Sequence, residues 1–138
     1  MKEIIVNSDN IKDKDINNRI KIINLLFINS KNELLLKKHH STYYFLHEYD
    51  EKSIKDKYGI DIDEYKPFLV RKKYILDYPL FDDKTLYESI YYKINMDLDI
   101  YEEYIHLDKV KDIVEENRYD NPRNQDITDE ILEVLGYL

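Results

Sequence analysis

A nearly continuous run of aliphatic residues, IKIINLLFI at positions 20–28, constrains the fold of this chain more than any other stretch. Its length and isoleucine content are typical of a β-strand that is buried on both faces. The turn-forming residues 29–32 separate this run from a second one, ELLLKK at positions 33–38. Two apolar runs joined by a short polar turn predict a β-hairpin.

The segments around the hairpin predict further strands and a short helix. In the N-terminal segment 1–18, residues 3–7 predict a short strand and residues 8–18 predict a polar loop. The aromatic run YYFL at positions 43–46 predicts another short strand. Residues 51–58 predict a helix with Asp50 as its N-cap. This helix is expected to end at Gly59, because a left-handed backbone costs least for glycine.

The second half of the chain predicts a pair of antiparallel strands. Residues 68–78 form an apolar run with a charged middle, and residues 86–96 alternate apolar and polar side chains. The loop between them is expected at residues 79–84. The charged residues 71–73 predict a bend or a bulge in the first of these strands, or an exposed edge that deters aggregation.

Two helices are predicted to close the chain. Residues 107–117 carry a helical stripe of apolar side chains, with Asp108 as the expected N-cap. A second helix is expected over residues 128–138, with Thr128 as its N-cap. No repeat or linker-like composition shift interrupts the 138 residues. We therefore predict a single domain over 1–138, in which 120–138 form the C-terminal helical segment.

Charge and composition exclude several classes of function. The formal net charge of −8 gives no overall cationic field, which argues against nucleic acid as a partner. The absence of cysteine excludes disulfides, thiol catalysis and thiolate metal ligands. No stretch approaches the roughly 20 apolar residues that span a bilayer, so we expect no membrane partner and a cytoplasmic location.

Three stretches together resemble the Nudix family of pyrophosphohydrolases. Residues 20–38 are similar to the family's opening hairpin, and YYFL at 43–46 is similar to the strand that leads into its glycine-rich loop. SIKDKYGID at 53–61 resembles the end of the Nudix box. The resemblance implies an α/β (α+β) fold, a Nudix-like α/β/α sandwich around a mixed, largely antiparallel sheet.

The box itself is shortened and largely lost. In the family it reads G-x5-E-x7-R-E-U-x-E-E-x-G-U, where U is a bulky apolar residue. When its end is aligned on Gly59, the Arg falls at Lys52 and the next Glu at Ser53. The two metal-binding Glu fall at Asp56 and Lys57. Since Mg²⁺ requires several oxygen ligands, the resemblance implies a Nudix fold without the family's usual activity.

Two sets of candidate site residues follow. A rebuilt cation site would use Glu48, Glu51 and Asp56, and would bind Mg²⁺ or Mn²⁺ if the protein is active; otherwise we expect no cofactor. Arg71 and Lys73 on a central strand would reach into a cleft and bind a phosphate or carboxylate. His47 and Tyr91 complete this ligand-binding set. A wider group of tyrosines is expected either to be half-buried in the sheet and helices or to stack a base or meet a partner; these are Tyr87, Tyr91, Tyr92, Tyr101 and Tyr104.

Three functions remain open from the sequence. The first is a catalytically silent Nudix-fold protein that binds a nucleotide-like ligand or acts as a regulatory or interaction module. The second is a diverged hydrolase that cleaves a nucleoside diphosphate derivative with Mg²⁺ or Mn²⁺. The third is a protein-interaction module or homodimer without a small-molecule ligand. The residues of a catalytic centre cannot be named from this sequence.

Overall fold

The computed structural model describes residues 1–77, 83–100 and 102–138, and these form seven β-strands and three α-helices. The strands are β1 (Lys2–Val6), β2 (Asn18–Ile28), β3 (Glu33–His39), β4 (Thr42–Glu48), β5 (Leu69–Asp77), β6 (Asp83–Asn95) and β7 (Glu103–His106). The helices are α1 (Glu51–Tyr58), α2 (Leu107–Glu116) and α3 (Asn124–Leu135).

The strands are hydrogen-bonded in the order β1-β5-β6-β2-β4-β3-β7. The β1–β5 pair is parallel, whereas β5–β6, β3–β4, β3–β7 and β2–β3 are antiparallel. The predicted fold class, an α+β fold with a mixed and largely antiparallel sheet, is therefore confirmed. The hairpin predicted at residues 20–38 is the β2–β3 pair.

The described residues divide into two compact units. The first unit contains residues 1–24 and 47–92, and the second contains residues 25–46 and 93–138. Strands β2, β4 and β6 contribute residues to both units. The single-domain organisation stays a prediction.

In the first unit, the N-terminal segment folds onto β5 and β6. Ile11, Tyr74 and Leu86 are buried together. Residues 8–18, predicted as a loop, include a single 3-10 turn at Asp13–Asp15. The hydroxyl of Tyr74 donates a hydrogen bond to Asp13 Oδ1 at 2.6 Å, which ties this turn to β5.

The predicted bulge at residues 71–73 is wrong. The β5–β6 pairing runs without interruption from Leu69 opposite Tyr91 to Asp77 opposite Asp83. The exposed-edge alternative is wrong as well, because β5 lies between β1 and β6. Strand β6 begins at Asp83, so residues 83 and 84 of the predicted loop at 79–84 belong to a strand; residues 78–82 lie outside the described residues.

In the second unit, the starts of both helices differ from the prediction. Helix α2 is capped by His106, whose ring accepts a hydrogen bond from the Asp108 N–H at 3.3 Å, and not by Asp108 itself. Helix α3 begins at Asn124, so Thr128 lies within it and is buried. The hydroxyl of Thr128 donates to the carbonyl of Val114 in α2. Strand β7, which pairs with β3, was not predicted.

Candidate functional site

Strand β5 presents two faces of different character within the first unit. Because side chains alternate along a strand, Arg71 and Lys73 share one face and Lys72 occupies the other. Residues directly opposite one another on an antiparallel pair share a face. We call the Arg71 face the surface formed by Leu69, Arg71, Lys73, Ile75 and Asp77 of β5 with Asp83, Thr85, Tyr87, Ser89 and Tyr91 of β6.

The two cations of the Arg71 face have uncharged neighbours on both flanking strands. Both side chains are half-buried, on the second strand from one edge of the sheet. Their lateral neighbours in the strand register are Ile4 and Val6 on β1, and Ser89 and Tyr87 on β6. Two positive charges therefore lie two positions apart on one face of β5.

Lys72, between these two cations in sequence, is compensated by acidic neighbours. It lies opposite Glu88 on β6, and its Nζ is 3.7 Å from Glu3 Oε1. Cross-strand pairs of opposite charge are mildly stabilising, so Lys72 needs no ligand to balance it.

The tyrosines of the Arg71 face differ in exposure. Tyr91, predicted as a ligand-binding residue, is 0% exposed, and its ring centroid lies 6.5 Å from that of Phe68. Its ring is part of the core and presents no open surface to a ligand. Tyr87, directly opposite Lys73, is half-buried. Burial raises the pKa of the Tyr87 hydroxyl, with smaller contributions from Asp77 and Tyr49.

His47 packs against Tyr49. The two rings meet edge to face with centroids 5.8 Å apart and an interplanar angle of 86°. Tyr49 is 60% exposed, and it contributes to the raised pKa of Tyr87 on the Arg71 face. Sequence reasoning did not select Tyr49, because a lone tyrosine before a helix has no periodic pattern to mark it.

The three predicted metal ligands are not brought together. Glu48 Oε1 is 2.8 Å from Lys57 Nζ, and Glu51 Oε1 is 2.8 Å from Lys21 Nζ. Asp56 is exposed, and five helical positions place it about 140° around α1 from Glu51. Over residues 1–77, 83–100 and 102–138, no group of three or more His, Cys, Asp or Glu side chains is arranged to hold a metal ion.

The ion pair at the start of α1 changes the electrostatics of its members. The hydrogen bond from Lys21 lowers the pKa of the Glu51 carboxyl, and the same bond raises the pKa of the Lys21 ammonium. Both side chains are about half exposed, at 48% and 52%, so solvent screens the pair and its contribution to stability is small. The Glu51 carboxylate is thus engaged with a lysine in this structure.

The ends of α1 follow the prediction. The Asp50 carboxylate accepts a hydrogen bond from the Ser53 N–H at 2.7 Å, which confirms it as the N-cap. Gly59 has φ +70° and its N–H donates to the Lys55 carbonyl at 2.9 Å, which confirms it as the left-handed residue that ends the helix. The helix is eight residues long, and Ile54 is its buried side chain.

No protein-family profile matches the sequence, and no curated protein matches it. Among solved structures, the chain is similar to the Ap4A hydrolase of C. elegans, with a TM-score of 0.42 and 12% sequence identity. The alignment covers 84% of this chain and 98% of the hydrolase chain. In the part of the chain that the structure describes, no helix combines the length and apolarity needed to cross a bilayer. A likeness of this degree assigns neither an activity nor a ligand to the present chain.

Proposed function

We propose that this protein binds a small phosphorylated, nucleotide-like ligand on the Arg71 face, and that its role is binding rather than hydrolysis of a diphosphate. One observation carries the proposal. Arg71 and Lys73 are half-buried on the same face of β5, two positions apart. Two cations this close on one face can together bind a phosphate.

The chemistry of the two cations suits a phosphate. The planar guanidinium of Arg71 can donate two parallel hydrogen bonds to phosphate oxygens, and Lys73 adds a point charge. Because both side chains are partly withdrawn from water, their attraction to an anion is less screened than at an exposed site. Ser89, opposite Arg71, offers a hydroxyl as a further donor.

Aromatic side chains beside the cations favour a nucleotide over a bare phosphate. Tyr87 lies directly opposite Lys73, and the exposed Tyr49 contributes to the raised pKa of Tyr87. An aromatic ring stacks on a nucleobase irrespective of its sequence identity. His47, which meets the edge of Tyr49, supports the orientation of that ring.

The residues of α1, together with Glu48, support binding without hydrolysis. Lys52, Ser53 and Lys57 occupy positions where the Nudix box places an arginine and carboxylates. Glu48 and Glu51 are each salt-bridged to a lysine. The alternative, a hydrolase that uses Mg²⁺ or Mn²⁺ through Glu48, Glu51 and Asp56, stays a prediction and is tested by the same assays.

The test is calorimetric titration of a nucleotide panel into the full chain and into three single variants. We expect Arg71→Gln and Lys73→Gln each to weaken binding of a nucleoside diphosphate by about tenfold or more, because each removes a charge-assisted contact. Lys72→Gln is the matched control: it removes the same charge from the same strand but from the opposite face. Its affinity is expected to stay within about twofold of the parent.

Three results would overturn the proposal. A wild-type protein that binds none of the nucleotides contradicts it, and so does an equal loss in Lys72→Gln. Turnover of a nucleoside diphosphate derivative with Mg²⁺ or Mn²⁺ that is lost in both Glu51→Ala and Asp56→Ala would establish the hydrolase instead. A protein that binds no nucleotide and forms a dimer in solution would favour the interaction module.

A further inference from the structure

Strand β1 forms one edge of the sheet, and its outer side has no strand partner among residues 1–77, 83–100 and 102–138. On its inner side it pairs with β5 over its whole length, from Lys2 opposite Leu69 to Val6 opposite Lys73. An edge strand presents a row of backbone N–H and C=O groups with which another strand can pair. Ile5 of this strand is a large aliphatic residue, yet it is 60% exposed.

The strand at the other edge, β7, is better protected against such pairing. It has four residues, and the last of them, His106, is already the N-cap of α2. Strand β1 contains no proline, and its register with β5 runs without a bulge. These are two of the devices by which edge strands avoid a further partner. The edge of β1 is therefore the place where we expect another strand to add.

The order of side chains in β1 makes the strand complementary to itself. It begins with the charged residues Lys2 and Glu3, and residues 4–6 are aliphatic. If two copies overlap antiparallel over all five residues, Ile4 lies opposite Ile4, and the charged start of each strand lies opposite the aliphatic end of the other. The next symmetric registers are poorer: one brings Glu3 opposite Glu3, which is destabilising, and the other pairs only residues 4–6.

The same overlap brings opposite charges together. Glu3 then lies opposite Ile5 of the second copy, and Ile5 is flanked on β5 by Lys72 on the same face of the sheet. Within one copy, Lys72 Nζ is 3.7 Å from Glu3 Oε1, and the Glu3 side chain remains 51% exposed. Each Glu3 can therefore also attract the lysine of the second copy, while its aliphatic stem covers the exposed Ile5.

We propose that the edge of β1 is a homodimer interface, in which the β1 strands of two copies pair antiparallel about Ile4. This pairing does not depend on a ligand at the Arg71 face. Because both copies use the same surface, the assembly closes at two. A five-residue strand pair is small beside a standard interface, so we expect a dissociation constant of about 10 to 100 µM.

The test is sedimentation velocity of the full chain from about 5 to about 500 µM, a range that brackets this constant. The wild type is expected to show a reversible monomer–dimer equilibrium. Ile5→Glu should raise the dissociation constant by about tenfold or more, because it places a carboxylate opposite Glu3 twice in each dimer. Within its own copy the new carboxylate lies beside Lys72, so the variant is expected to fold.

Two further variants are the controls. The double variant Glu3→Lys/Ile5→Glu again places opposite charges face to face, and its dissociation constant is expected to return to within about threefold of the wild-type value. Tyr119→Glu introduces the same charge at a side chain that is 82% exposed between α2 and α3. It is expected to change the constant by less than about twofold.

The register is tested by cross-linking, for which the absence of native cysteine gives a clear background. Ile4→Cys should form a disulfide-linked dimer on mild oxidation, because residues directly opposite in an antiparallel pair lie within disulfide range. Lys2→Cys should not, since its equivalent in the second copy lies about 13 Å away along the strand. A wild type that stays monomeric at every concentration would overturn the inference. A dissociation constant that Ile5→Glu leaves unchanged, or equal cross-linking of the two cysteine variants, would overturn it as well.

Discussion

Gly59 has a left-handed backbone conformation, which favours glycine over other residues. Its φ is +70°, and a Cβ built at this position would contact nothing within 4 Å. The cost of a side chain here is therefore conformational and not steric. We expect Gly59→Ala to lower the free energy of unfolding by about 1 to 2 kcal/mol, measured by urea denaturation. Gly59→Asn should lose less, because asparagine tolerates the left-handed region; an equal loss in the two variants would contradict the explanation.

The side chain of Asn124, at the start of α3, forms hydrogen bonds with Thr42, Asn117 and Ser41. Its amide accepts a hydrogen bond from the Thr42 hydroxyl at 2.5 Å and donates to the Asn117 carbonyl at 2.7 Å. It also donates to the Ser41 carbonyl at 3.3 Å, and the side chain is 2% exposed. We expect Asn124→Ala to lower the free energy of unfolding by about 2 kcal/mol, because it leaves buried partners without a hydrogen bond.

The neighbouring residue Gln125 supplies the control for that measurement. Gln125 lies in the same helical turn and is exposed. Gln125→Ala should change the free energy of unfolding by less than about 0.5 kcal/mol in the same urea titration. If Asn124→Ala loses no more unfolding free energy than Gln125→Ala, the polar network around Asn124 contributes little to stability.

The residue scale also shows which site residues the sequence can reveal. Arg71 and Lys73 are visible because charges within an apolar strand are unusual. Asp77 and Ser89 are not visible, since their place on the same face follows from the β5–β6 register, which residues far apart in sequence determine. The sequence pattern that suggested Glu48 and Glu51 as metal ligands did not reveal their lysine partners. Lys57 forms a salt bridge with Glu48, and Lys21 forms one with Glu51.

At the scale of elements, the carboxylate of Asp50, the N-cap of α1, makes the stability of the fold depend on pH. Hydrogen bonds from Ser53 hold the pKa of the Asp50 carboxyl below its usual value. The bond from the Ser53 backbone N–H makes the largest contribution, and the bond from its side chain makes the next largest. A carboxyl whose pKa is lower in the folded state stabilises the fold above its unfolded pKa. That contribution is lost as the pH falls through the folded pKa, so it disappears on the acid side.

Two substitutions separate the cap from its charge. Asp50→Ser keeps a good N-cap without a titrating group, so the difference in unfolding free energy between wild type and this variant should shrink as the pH falls below the unfolded pKa. Asp50→Ala should be destabilised at neutral pH relative to Asp50→Ser, because it has no cap. The measurement is urea unfolding at a series of pH values from neutral to acidic. A wild-type advantage over Asp50→Ser that persists unchanged into acid would contradict the role of the charge.

The helix starts show why element boundaries were only partly predictable. The buried stripe of α3 runs through Asn124, Thr128, Ile131 and Val134, so its first two positions are polar. A search for apolar periodicity cannot find these two, because their burial depends on hydrogen bonds to Asn117, Ser41 and Val114. The apolar part of the stripe was found, and the helix was therefore placed correctly at its C-terminal half but begun four residues late.

Strand β7 was missed for a related reason. Its four residues, EYIH, include a single fully apolar side chain, Ile105, which is buried. The strand exists because β3 provides a partner, with Leu34 opposite Ile105 and Leu35 opposite Tyr104. A strand this short is stabilised by its pairing and not by its own propensity. Sequence patterns predict long, strongly apolar elements such as β2 more reliably than elements of this kind.

At the scale of the whole molecule, each compact unit is assembled from two separate chain segments. Residues 25–46 precede most of the first unit in sequence but belong to the second. Within that segment, Leu34 and Leu35 are 0% exposed, and β3 depends on β7 for one of its pairings. No single cut therefore divides the chain into two pieces that each correspond to one unit.

This organisation predicts the behaviour of a truncated chain. A fragment of residues 1–92 keeps all of the first unit but leaves residues 25–46 without β7, α2 and α3. We expect this fragment to expose buried leucines and to fail to fold, since exposed apolar surface of this extent drives aggregation. A chain of residues 1–135 is the control, because it removes only three exposed residues after α3. Dispersion of the amide resonances in two-dimensional NMR spectra would distinguish the two, with a native pattern expected only for 1–135. A 1–92 fragment that gave a dispersed spectrum and bound a nucleotide would show instead that the first unit folds and functions without the second.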